Sequence, residues 1–139
     1  MPAPVSKRLL TLLCLPLGTV TLAACGSAVS TSSFSGAKHE VAQVVSNLQA
    51  DATAAEQKKV CADDLAAAVV TRLGGQKSCE TAIKNQLAEV DSLEVSVQSI
   101  QISGASATAH VKSEQSGKSK AGTVALVKEG KSWKVSAVS

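Results

Sequence analysis

The chain has 139 residues, with 14 Lys and Arg against 11 Asp and Glu, which is room for one domain and too weak a field to steer nucleic acid. Ala (22) and Ser (19) dominate, and Phe34 and Trp133 are the only aromatics, so the core is built of thin side chains and no base-stacking platform exists. Disorder is excluded over the C-terminal three quarters, where apolar residues recur with clear periods.

Residues 1–24 read as a secretory leader. Lys7 and Arg8 make its positive start, and the run from Leu9 to Leu17 its apolar centre. That run is too short to cross a bilayer as a helix, which takes about 20 residues, and Pro16 and Gly18 close it. Leu22-Ala23-Ala24-Cys25 then resembles the lipobox of bacterial lipoproteins at every position. The resemblance implies cleavage before Cys25, a diacylglyceryl thioether on its sulfur, and an outward-facing domain anchored to the cell membrane. Two acyl chains hold durably where one is marginal. An ordinary small-residue cleavage site is the competing reading. Loss of Lys7 and Arg8 with the leader leaves 12 basic groups against 11 acids, a near-neutral product.

Residues 25–37 form a Ser/Gly-rich tether, in which Phe34 is either incidental or able to dip into the membrane interface. Helical spacing starts near Lys38, with Val41, Val44, Val45 and Leu48 on one stripe and a break at Asp51. A short helix is predicted over Ala54–Val60. A third is predicted over Asp63–Leu73, with Leu65, Ala66, Val69, Val70 and Leu73 inward and Gly74-Gly75 as its stop. A fourth begins with Ser78 as N-cap and Glu80 in its first turn, carrying Ile83, Leu87 and Val90.

The period then changes to two. Leu93, Val95 and Val97 alternate with polar residues, and Ile100 and Ile102 resume one residue out of phase, which predicts a bulge near Gln98-Ser99. Further strands are predicted over Ala105–Gln115, Ala121–Lys128 and Ser132–Val138, joined by short turns at Ser116-Gly117 and Glu129-Gly130-Lys131. Helices followed by a four-stranded antiparallel meander make one α+β domain, residues 38–139.

The amphipathic helices, the Cys61…Gly74-Gly75-x-x-Ser78-Cys79-Glu80 segment, the bent meander and the closing Gly130-x-x-Trp133-Lys134-Val135 strand resemble small actinobacterial lipoproteins with a nuclear transport factor 2-like, cystatin-like domain. The resemblance implies a curved sheet wrapped around helices into a cone with a pocket. It covers isomerases, cyclases and non-catalytic binding domains, so it leaves activity open.

Cys61 and Cys79 are an even pair in an exported domain, which predicts a disulfide; a metal site would need His39 or His110, which have no paired spacing. No metal or cofactor is expected. His110, mid-strand, is read as an exposed histidine or a pocket base, and Asp63-Asp64 as helix-start acids or paired carboxylates. No G-x-S-x-G elbow or phosphate loop occurs, and the Tyr on which isomerases of the resembling family rely is absent. Lys112, Lys118, Lys120, Lys128, Lys131 and Lys134 give the sheet half a mildly basic face, read as solvated or as touching anionic headgroups. Trp133 plugs the core or stacks on a ligand. Together these features imply a non-catalytic, lipid-anchored envelope domain that takes a small apolar ligand or a protein partner on the concave side of its sheet. An enzyme of the same fold and a purely structural assembly factor are the alternatives.

Overall fold

A computed structural model describes residues 30–89 and 93–139. The leader, the lipobox with Cys25 and the tether up to residue 29 lie outside the described residues, as does Val90.

The helical stripe read from Lys38 onward forms α1, Gly36–Thr53, which starts two residues earlier than its pattern and buries Val41, Ala42 and Val45. Ahead of it the chain is docked. Phe34 donates its N–H to the Thr31 carbonyl, His39 Nδ1 sits 3.1 Å from that same oxygen, and the Phe34 ring packs against the core. Phe34 is thus half-buried in the domain.

The middle of the helical layer differs from expectation. The short second helix is α2, Gln57–Lys59, and it runs into a π-helical turn, Val60–Asp64. The continuous helix expected over Asp63–Leu73 does not form. Leu65 and Ala66 are extended, Leu65 bridges in parallel to Val135, and the Ala66 N–H donates to the Val135 carbonyl; helix resumes as α3, Ala67–Arg72. The cause is tertiary. An outer strand presents unpaired backbone groups, and satisfying them there outweighs two more residues of helix. Leu73, expected inward, is 37% exposed. The next helix, α4, spans Gln76–Leu87 with Gly75 as its N-cap. Ser78 therefore lies inside it, and Glu80 falls beyond its first turn: two glycines in the left-handed region, Gly74 and Gly75, start the helix sooner than a serine cap would. Cys61 on the π turn and Cys79 on α4 are joined by a disulfide, their Cα atoms 6.1 Å apart.

The sheet follows its pattern closely. Strands β1 (Glu94–Ser103), β2 (Ser106–Gln115), β3 (Lys118–Glu129) and β4 (Ser132–Val138) pair antiparallel in chain order. Register between β1 and β2 shifts between Val97 and Ser99, where the phase of the sequence broke. Strand β3 starts three residues before the expected Ala121. The turn is only Ser116-Gly117, both at positive φ as a two-residue hairpin turn requires. A second shift, between Ala125 and Leu126, leaves Ser136 of β4 without an opposite partner; no sequence period announced it.

One face of the sheet is covered by α1. Val41, Ala42 and Val45 pack against Ile100, Ala107, Ala109, Val124, Leu126, Trp133 and Val135. Cross-strand pairs Ile100–Ala109, Ala109–Val124 and Leu126–Val135 carry this core across all four strands.

Candidate functional site

Two clefts open on the described surface. The larger, about 460 Å³, runs over the sheet end bounded by Gln98, His110, Lys112, Gly122, Thr123 and Ser139. His110 sits there exposed, paired across the ladder with Thr123. The second, about 390 Å³, lies between α1 and the start of β4. Its helical wall carries Glu40, Gln43 and Asn47 of α1 with Asp63 and Asp64 of the π turn; its sheet wall carries Lys131, Ser132, Trp133 and Lys134.

This second cleft holds the perturbed chemistry. Asp64 is only 3% exposed, and its Oδ2 has no hydrogen-bond partner. Burial, more than any neighbour, pushes its carboxyl up from 3.8 to about 7; the charge and hydrogen bond of Asp51 and the charge of Asp63 add to the rise, and Lys134 opposes it. Trp133 is likewise 3% exposed, with Nε1 unpartnered. Its ring holds Lys128 Nζ at 5.5 Å from the centroid, a cation–π contact. Lys134 Nζ donates to the Asp63 carbonyl, tying β4 to the π turn, and Gln43 Nε2 donates to Asn47 Oδ1 at 3.1 Å along the helical wall.

The sequence leaves Asp63 and Asp64 as helix-start acids or as paired carboxylates. The structure separates them: Asp63 is exposed, Asp64 is buried, and the carboxylate that meets Asp64 is Asp51, at the end of α1. Thirteen positions separate those partners, so no local spacing signals the pair. Trp133 stands at the same cleft as Asp64, as part of the core and of the wall together. His110 is not brought to it; it lines the other cleft. The apolar pocket expected on the concave side is occupied by the apolar stripe of α1, and the lining of the α1–β4 cleft mixes charged, amide and aromatic groups. Among the described residues no cluster of His, Cys, Asp and Glu is arranged to hold a metal, and no helix is long and apolar enough to cross a membrane.

No protein-family model matches this chain, and no curated protein matches it. Solved structures do. A designed protein of the NTF2 type carrying five substitutions aligns at a TM-score of 0.50 and 9% identity, over 70% of this chain and 93% of that one. A de novo designed protein with a curved β-sheet aligns over 46% of this chain and 61% of its own length, at 14% identity and a TM-score of 0.38. The first likeness establishes the fold: one α+β domain, helices on a curved four-stranded antiparallel sheet, NTF2-like.

Proposed function

We propose that this chain is a lipid-anchored, non-catalytic domain of a bacterial envelope that binds a small ligand in the cleft between α1 and β4. The observation that carries the reading is the wall of that cleft, where Asp64 and Trp133 are both buried and each keep a polar atom without a partner. A buried polar atom left unpaired costs about 1–3 kcal/mol, a cost that persists where a site makes use of it. The lipobox ending at Cys25 supports the anchor, and the NTF2-like fold, which hosts binding domains by resemblance, is compatible with ligand binding.

One observation favours a second reading, an enzyme of the same fold. A buried carboxyl that exchanges its proton near neutrality, in a cleft beside other polar groups, has the properties of a general acid or base. The full chain, purified from membranes in mild detergent, separates the two. Native mass spectrometry of the binding domain shows a retained, chemically unchanged small molecule, and Asp64→Asn alters its occupancy. Turnover of the retained molecule by the native chain, lost in Asp64→Asn with folding intact, establishes the enzyme instead. Replacing Cys25 with Ser sends the protein to the soluble fraction; a variant that stays with membranes refutes the anchor.

A further inference from the structure

The tether and the sheet give the anchored molecule a direction. In a four-stranded meander, the β1–β2 and β3–β4 turns lie at one end and the β2–β3 turn at the other. The first two are joined by the Lys128 N–H to Ala105 carbonyl bond. The first half of α1 is at that same end, since Glu40 and Gln43 share the cleft with Lys131 and Ser132, while Gln49, farther along α1, donates to the Leu93 carbonyl just before β1. The chain enters the domain there too, pinned by the bonds to the Thr31 carbonyl. Six Cα–Cα steps lead from Cys25 to Thr31, a reach of about 20 Å at full extension. The β2–β3 turn lies about 30 Å away along the ten residues of β2.

The six lysines of the sheet half do not make one face. Lys128, Lys131 and Lys134 belong to the end where the tether enters, and Lys112, Lys118 and Lys120 to the opposite end. Lys128 rests on Trp133 and Lys134 is tied to Asp63; Lys131, at the exposed β3–β4 turn, makes no ion pair with the described residues. Of the acids nearby, Glu129 accepts the Ala67 N–H at 2.9 Å, while Glu40, Asp63 and the buried Asp64 stand on the helical wall across from the lysines. The cleft therefore has a cationic wall and an acceptor wall. A phosphate ester carrying a hydroxyl or amine donor complements both.

We propose that the anchored molecule stands on the end formed by the β1–β2 and β3–β4 turns and the start of α1, so that the α1–β4 cleft opens at the membrane surface and takes the phosphate headgroup of a neighbouring lipid. This rests on the anchor at Cys25. Polybasic contact with anionic headgroups adds only about 1 kcal/mol per lysine, so Lys131 supplements the acyl chains and sets orientation rather than attachment.

The test uses the full lipidated chain in vesicles of phosphatidylcholine with or without phosphatidylglycerol, doped with a headgroup-nitroxide lipid. A dye is placed at Ser103→Cys, beside the β1–β2 turn, or at Ser116→Cys, in the β2–β3 turn. The expected result is quenching several-fold stronger at position 103 than at 116. Phosphatidylglycerol vesicles should also shift the emission of Trp133, the sole tryptophan, and Lys131→Glu should remove that shift without releasing the protein. Quenching equal at the two positions, or stronger at 116, overturns the orientation. Membrane-bound protein whose Trp133 emission ignores phosphatidylglycerol, or whose response survives Lys131→Glu, overturns headgroup capture. In each of those cases the anchor stands. Protein that fails to float with vesicles of either composition refutes the anchor itself.

Discussion

Asp64 shows how far one residue's behaviour is set by its surroundings. Its carboxyl is pushed up to about 7 by burial first and then by Asp51. A folded chain that holds this proton more tightly than the unfolded chain is progressively destabilised as the pH rises from about 4 to 7, and the full penalty applies above that window. The upper bound is about 4 kcal/mol, at 1.36 kcal/mol for each tenfold change in proton affinity. Asp64→Asn keeps the shape and removes the titration. The variant should gain on the native chain in denaturant midpoint as pH goes from 4 to 7, with a constant difference above 7. A pH-independent difference between the two chains would show that Asp64 carries no such penalty. The aspartates were visible in the sequence as Asp63-Asp64; the pairing that matters, Asp51 with Asp64, was not, because it is made across two helical elements.

At the scale of elements, the contrast is between strands and helices. A strand's alternation is enforced by one buried face, so the pattern from Val95 to Val135 gave β4 its limits and β1 its bulge, in register with the core. The short helices have no such enforcement. Their layer, α2 to α4, is rich in Ala and shows few buried residues beyond Val60, Cys61, Ala66 and Cys79. The Cys61–Cys79 bond stands in for missing core there, closing a loop with a separation of 18 residues. Loop-closure entropy puts its contribution at about 3 kcal/mol. Replacing both cysteines with serine should lower the urea midpoint accordingly. Amide exchange should accelerate in α4 and the π turn more than in β2 and β3. Uniform acceleration across the sheet would mean that the bond supports the whole core rather than this layer.

For the whole molecule, the decisive feature is that α1 and the sheet share one core. Val45 of α1 and Leu126 of β3 are buried in the same cluster as Trp133. Leu126→Ala should cost about 2–5 kcal/mol, the range for emptying a buried leucine site. Unfolding followed at Trp133 on the sheet and by helical circular dichroism should then move together, as a single cooperative core requires. Separate transitions would divide α1 from the sheet. By itself, the sequence determined the α+β class, the order of the elements, the stripe on α1, the β1 bulge and the cysteine pair, because these depend on periodicity and composition within short windows. Only the tertiary structure decided that helix breaks at Leu65 to feed the edge of β4, that α1 fills the concave face, that Asp64 and Trp133 meet at one cleft, and that Asp51 pairs with Asp64. Each of those depends on satisfying buried backbone or side-chain groups across distant segments, a balance of packing and desolvation that no local pattern encodes.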